Sequence, residues 1–286
     1  MSDAQSKLAV ITGSTGGLGA EMAKLLAERG WDLVLVNRSA DKGAAQARQL
    51  AAAGRTVETV TADLLDVAEV KRAAAEIAAA HPRIDALYNN SGVLTEKKVM
   101  SPAGVESHFA INTLAPYVMA EGLREPLAAA AAAGGEPMVV NISSAIANMA
   151  KNVDVAALPN PDKIGKLTGA YANSKLAVTA VSAFMKDELE ARGIRIRAIE
   201  PGGVKTKMTM KNDDAMPWWA KLVAPVMFKP ADVQARKVVD LADPAALGGA
   251  TGVFVGINGK IAKTPAQAAD PMFQGQLRAL LDQLAA

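Results

Sequence analysis

Leu8-Ala-Val-Ile-Thr-Gly-Ser-Thr-Gly-Gly-Leu-Gly19 decides the fold of this 286-residue chain. The apolar run Leu8–Ile11 opens into a glycine cluster that includes Gly13, Gly17 and Gly19, followed by a helical stretch from Ala20 to Arg29. A strand that delivers glycines into a helix start builds an anion site. Glycine permits positive φ and close backbone approach, while uncapped amide N–H groups and the helix dipole both face a bound phosphate.

Outward from that loop, β-rich apolar runs recur at Leu8–Ile11, Leu33–Val36, Val57–Val60, Ile84–Tyr88, Met138–Ile142, Ile194–Ile199 and Gly252–Ile257. Ala-rich helical patterns separate most of them, and alanine is the best helix former, so these read as helices and not as low complexity. Continuous apolar runs joined by helices belong to parallel strands buried on both faces with right-handed crossovers. The pattern predicts one α/β domain over 1–286, a doubly wound parallel sheet of about seven strands with helices on both faces. Two excursions break the rhythm: 148–168, with Pro159 and Pro161, and 201–230, with Met216-Pro-Trp-Trp219 and Val226-Met-Phe228. Their length marks them as functional loops.

Composition excludes several functions. Net charge is +2, from 31 basic and 29 acidic residues scattered along the chain, so no basic stripe exists for nucleic acid. With no cysteine, disulfides, thiolate zinc sites and cysteine nucleophiles are ruled out. His81 and His108 lack neighbouring ligands, and no metal site is expected. Met1 to Lys7 is polar, and no stretch approaches about 18 uninterrupted apolar residues, so the expectation is a soluble, cytoplasmic protein without a transmembrane segment.

Chemistry concentrates in the second half. Tyr171 and Lys175 stand four apart in Tyr-Ala-Asn-Ser-Lys, within a helical segment, so both project from one helix face. An ammonium beside a phenol stabilises the phenolate, so Tyr171 is expected to titrate below a free tyrosine. Met138-Val-Val-Asn-Ile-Ser-Ser144 is an apolar strand ending in hydroxyls, and in an open parallel sheet ligands lie beyond the carboxyl ends of strands.

Thr12-Gly-x-x-x-Gly-x-Gly19, Ala62-Asp-Leu64, Asn89-Asn-Ser-Gly92, Asn112, Ser144, Tyr171-x-x-x-Lys175 and Pro201-Gly-Gly-Val-Lys-Thr206 together resemble the short-chain dehydrogenase/reductase family, in order and in placement near strand ends. The resemblance implies a Rossmann-like fold and hydride transfer between a nicotinamide and a carbonyl carbon. It implies Tyr171 as proton donor and Ser144, carried over from the second serine of the family's pair in preference to Ser143, as the group holding the oxygen. Lys175 would contact the nicotinamide ribose, and Asn112 would sit in a kinked helix holding water for a proton relay. The dinucleotide would lie against Gly13, Ser14, Thr15, Gly17, Leu18 and Gly19, with Asp63 and Leu64 at the adenine. Asn90, Ser91, Gly92, Tyr171, Lys175, Pro201, Gly202, Val204 and Thr206 would complete its contacts.

Charge selects the dinucleotide. An NAD site of this architecture expects a carboxylate at the end of the second strand, to accept from the ribose 2′-hydroxyl. That place holds Asn37, followed by Arg38 and Ser39, with Lys42 nearby. A guanidinium can clamp a 2′-phosphate with two charge-assisted hydrogen bonds, so NADP(H) is expected over NAD(H).

The segment between Ser144 and Tyr171 is much longer than in compact family members. With Tyr-x-x-Ser-Lys-Leu-Ala177 and the late Thr251-Gly-Val-Phe-Val255, it resembles the retinol dehydrogenase and protochlorophyllide reductase branch. That likeness implies a bulky, hydrophobic ketone, aldehyde or alcohol as substrate. Met216, Trp218, Trp219, Met227 and Phe228 fall where relatives carry a substrate lid, here 207–230; a subunit contact, or a weak membrane contact through Trp218 to Val226 with Lys221, are alternatives. The resemblance implies a homodimer paired through the helices of Asn112 and Tyr171, as family members often are, although relatives with long insertions can be monomeric. Two rival functions stay open: an NAD(H)-linked alcohol dehydrogenase working oxidatively, and a dinucleotide-binding sensor or scaffold without turnover.

Overall fold

Ala9, Val10 and Ile11 are completely buried in β1 (Leu8–Thr12), at the centre of the sheet, as a strand covered on both faces requires. The computed structural model describes residues 6–52, 54–204, 228–256 and 258–286. After β1 the chain runs through α1 (Gly17–Glu28), β2 (Asp32–Asn37), α2 (Ala40–Ala51), β3 (Val57–Thr61), α3 (Val67–Ala80) and β4 (Ala86–Asn89). A short helix, α4 (Ser107–Phe109), passes through a π-helical turn at Ala110–Leu114 into α5 (Ala115–Gly122), and α6 (Arg124–Ala132) leads to β5 (Met138–Ile142). A 3₁₀ turn at Ala145–Met149 precedes α7 (Ala170–Phe184), α8 (Lys186–Glu190), β6 (Arg195–Ile199) and β7 (Gly203–Val204). Next come β8 (Phe228–Lys229), α9 (Ala231–Leu241), β9 (Val253–Val255), β10 (Ile261–Ala262) and α10 (Pro271–Ala285).

The main sheet has the order β3-β2-β1-β4-β5-β6-β9-β10, parallel except for β10, which runs antiparallel to β9. The doubly wound α/β architecture is as expected, with eight strands in the sheet among the described residues instead of about seven. The additional edge strand, Ile261–Ala262, is two residues long and leaves no periodicity to read. One buried cluster gathers Val10, Ile77, Phe109, Leu176 and Leu277; the other gathers Ile11, Met22, Leu26, Leu35 and Val238.

Alanine has a packing role as well as a propensity role. A Cβ added to Gly122 of α5 would lie 2.7 Å from the Ala74 Cβ of α3, so small residues on both helices set how closely they approach. Fully buried Arg197 interrupts the apolar face of β6, and its guanidinium donates to the carbonyls of Leu241, Asp243, Pro244, Ala246 and Ala250, tying down the turns before β9. Helix α10 buries Phe273, Leu277 and Leu281 in the core cluster shared with α7. Its Asp282 accepts from the Tyr117 hydroxyl, and Arg278 donates to Glu188 at 2.9 Å.

Segment 150–169 is irregular but anchored. Val153, Val155, Leu158 and Ile164 are buried, and the Gln267 side chain bonds both the N–H (3.0 Å) and the C=O (2.7 Å) of Val153. Of the expected lid, 207–230, residues 207–227 lie outside the described residues, including Met216, Trp218, Trp219, Lys221 and Met227; Phe228–Lys229 pairs in parallel with Gly203–Val204.

Candidate active site

Strand order reverses at β1, whose neighbours are β2 and β4, so a crevice opens beyond the carboxyl ends of β1 and β4. Thr12 closes β1 and joins the two ends: its Oγ1 accepts from the N–H groups of Asn90 and Ser91, both at 3.0 Å. The Asn90 amide returns two bonds, to Thr12 O (2.9 Å) and Gly13 O (3.1 Å). Gly13 and Gly17 adopt φ of +68° and +54°, where a side chain is strained. A Cβ on Gly19 would collide with the Gly13 carbonyl oxygen and the Asn90 amide. Helix α1 has Gly16 at its N-cap, without a side-chain cap and without an acidic residue in its first turn, so its amide end is met by no side-chain acceptor.

Ser14 is completely buried. Its N–H donates to Asn37 Oδ1 (2.9 Å), its hydroxyl accepts from Asn37 Nδ2 (2.9 Å) and donates to Gln46 Oε1 (2.7 Å), and its carbonyl accepts from Gln46 Nε2 (2.6 Å). Ser14 and Asn37 thus spend their polar groups on each other and on Gln46 of α2, while Thr15 and Arg38 are exposed. Ser39 caps α2, its hydroxyl accepting from Lys42 N–H at 3.4 Å. Further along the crevice, the Asp63 carboxylate accepts from Leu65 N–H and its own N–H donates to Glu69, beside buried Leu64.

On the other side of the crevice, α7 carries Tyr171 and Lys175 on one face. The Tyr171 phenol hydrogen-bonds with Ser144, whose hydroxyl also accepts from Ile146 N–H at 3.3 Å. Ser143 turns the opposite way, is buried, and meets Thr179 Oγ1 at 2.6 Å. Lys175 is buried and donates to the Ile142 carbonyl at 2.7 Å, with its Nζ 5.8 Å from the Tyr171 ring centroid. Burial brings Lys175 from 10.5 down to about 8. Burial also pushes the Tyr171 phenol up to about 12, with the Ser144 bond only partly offsetting it. The expected depression of Tyr171 is therefore reversed: Lys175 directs its proton at a backbone carbonyl, and desolvation of the phenolate dominates.

Asn112 sits in the π turn, a widening that usually marks a functional helix position. Its Oδ1 accepts from Val93 N–H (2.8 Å), and its Nδ2 donates to Val93 O (3.1 Å) and Ser174 Oγ (3.0 Å), tying the β4 exit loop to α7. Gly92 lies alongside, where a Cβ would stand 3.3 Å from Asn112 Oδ1 and 3.7 Å from Lys175 Nζ. Beyond β6, Pro201 and Val204 are buried and Gly202 has φ of +87°; Thr206 lies outside the described residues.

Sequence reasoning missed Thr12, Gln46, Ser174 and the buried pair Glu106 and His108. Thr12 had a signal, as the last strand residue before the glycines, whereas Gln46 is a polar residue in mid-helix with none. Among the described residues no group of three His, Asp or Glu side chains could hold a metal ion, and no helix is long and apolar enough to cross a membrane.

Comparison with known proteins gives a consistent result. Human retinol dehydrogenase 13 is 30% identical over 206 residues, which is 71% of this chain and 60% of that protein's length. D-threitol dehydrogenase of Mycolicibacterium smegmatis is 30% identical over 244 residues, covering 84% of this chain and 87% of that enzyme. Among solved structures, a blue fluorescent protein from a metagenomic library in complex with NADPH superposes with a TM-score of 0.69 at 26% identity, covering 90% of this chain and 98% of that one. The short chain dehydrogenase family model matches residues 7–217, so the chain belongs to the short-chain dehydrogenase/reductase family, with retinol dehydrogenases among its relatives.

Proposed function

We propose that the protein is an NADP(H)-linked oxidoreductase that reduces a hydrophobic ketone or aldehyde, or oxidises the corresponding alcohol, with Tyr171 as the acid–base. The observation that carries this reading is the Tyr171 phenol, bonded to Ser144 at the end of β5, with buried Lys175 one turn further along the same helix. The cradle fits a dinucleotide: Gly13 and Gly19 leave no room for a Cβ, and the amide end of α1 is uncapped. Gly13 to Gly19 would hold the diphosphate, exposed Arg38 with Ser39 the 2′-phosphate, and Lys175 the ribose. When bound, the nicotinamide supplies or takes the hydride.

A phenol at about 12 stays protonated at neutral pH, which suits a donor. A carbonyl oxygen receiving a hydride becomes an alkoxide, a far stronger base than a phenolate, so transfer from Tyr171 is downhill. Ser144 keeps that oxygen and the phenol together. Asn112 braces the loop that carries Gly92 against α7. Met149, 48% exposed in the 3₁₀ turn that follows Ser144, supports a hydrophobic substrate, as does similarity to a retinol dehydrogenase. Similarity to D-threitol dehydrogenase over most of both chains favours a second reading, net oxidation of an alcohol.

NADPH consumption across aldehydes, cyclic ketones, steroids and aromatic diketones, with NAD(H) and the alcohol direction in parallel, tests both readings. Tyr171→Phe should lower turnover at least about 10²-fold, the contribution of general acid catalysis, while NADPH affinity changes little. A Phe variant as active as wild type refutes the mechanism.

A further inference from the structure

We propose that His108 and Glu106 are a positioning pair that holds the Tyr171 ring in its reactive orientation. Both are completely buried beside the site. His108 is clamped at both ring nitrogens: Nε2 accepts from Thr95 N–H at 3.2 Å, so the ring proton sits on Nδ1, which meets Glu106 Oε1 at 3.0 Å. Glu106 is itself fixed by Ser107 Oγ (2.8 Å) and by the His108 N–H (2.9 Å), and its own N–H donates to Pro159 O at 2.6 Å in segment 150–169. The imidazole presents to Tyr171 in a T-shaped contact, with ring centroids 6.2 Å apart and planes at 72°. A buried carboxylate is retained at a cost in desolvation, and here one oxygen caps α4 through the His108 N–H while the other holds the imidazole against the phenol ring. His108 has no hydrogen bond to the phenol, so it acts through ring packing and not as a proton relay.

The inference rests on Tyr171 as proton donor and is tested so that the two can fail separately. His108→Gln can keep the bonds to Thr95 and Glu106 but removes the ring. It should retain the wild-type Tm and dinucleotide Kd yet lower kcat about tenfold, the scale of a small misplacement of a reacting group. The double variant Glu106→Gln/His108→Phe restores an aromatic edge without stranding a carboxylate and should recover most of that kcat. Independently of turnover, ¹⁹F NMR of protein labelled with 3-fluorotyrosine reads ring orientation, with the Tyr171 line assigned by Tyr171→Phe. In His108→Gln that line should shift and broaden, while the lines of Tyr88 and Tyr117 stay in place. An unmoved Tyr171 line, an unchanged kcat, or a loss confined to dinucleotide Kd or Tm overturns the pair's role. Full activity in Tyr171→Phe overturns the acid–base reading instead.

Discussion

Replacing Lys175 with methionine should stabilise the folded protein at pH 7 while removing its activity. Lys175 is 4% exposed, donates to the Ile142 carbonyl, and is brought by burial from 10.5 to about 8. Holding that ammonium in the folded state at pH 7 costs about 3 kcal/mol relative to the unfolded chain. Methionine keeps much of the aliphatic stem and removes the charge, but leaves the Ile142 carbonyl short of a hydrogen bond, a loss of about 1–2 kcal/mol. The net gain is about 1–2 kcal/mol. Because the folded pKa is depressed, the unfolded chain binds more protons between about pH 8 and 10.5, so wild-type stability rises with pH across that window through this group. The methionine variant lacks this rise, and its advantage at pH 7 shrinks as pH increases. Urea unfolding of both proteins at pH 7 and 9.5, without dinucleotide, reads the difference directly. A Met variant less stable than wild type at pH 7, or one with the same slope against pH, refutes the assignment of a strained buried ammonium.

Three further outcomes are expected. Gly19→Ala forces the Gly13 carbonyl or Asn90 to move, costing about 1–3 kcal/mol of stability, and calorimetry should find NADPH bound at least about tenfold more weakly. Arg38→Ala should lower the NADPH-over-NADH affinity ratio by about 10-fold or more, the worth of charge-assisted bonds to a phosphate; an unchanged ratio measured by fluorescence titration removes Arg38 from the site. Ser144→Ala should reduce kcat about 10²-fold, whereas Ser143→Ala, which removes one of the two buried hydrogen bonds of Thr179 Oγ1, should lower Tm and leave kcat within about threefold; the reverse pattern in steady-state assays and melts exchanges the two serines.

The sheet was legible because its strands are buried on both faces and announce themselves as unbroken apolar runs, and the site was legible where chemistry and backbone meet. Gly13 and Gly17 read out a conformation, Tyr171 and Lys175 a helical spacing, and Ser144 a strand end. Contacts between distant, ordinary polar residues carry no such pattern. Gln46 reaches Ser14 across 32 positions, and Arg197 sits in a strand as though it faced water, yet satisfies five carbonyls in the interior. The direction of the Tyr171 shift depends on burial and on where Lys175 points, neither of which the four-residue spacing encodes. Glu106 and His108 form no pattern along the sequence, and their burial appears only in the folded chain, where the Glu106 N–H meets Pro159 O in segment 150–169.

The π turn at Ala110–Leu114 is a register device. A π turn carries one residue more than the α-turn it replaces, and each helical residue accounts for about 100° of rotation. That surplus lets a single helical path aim Asn112 at the β4 loop and α7, then aim Tyr117 at Asp282 of α10. Deleting one residue between Asn112 and Tyr117 keeps both of those side chains but swings one of the two off its target by about 100°, so along 107–122 length is specified as well as residue identity.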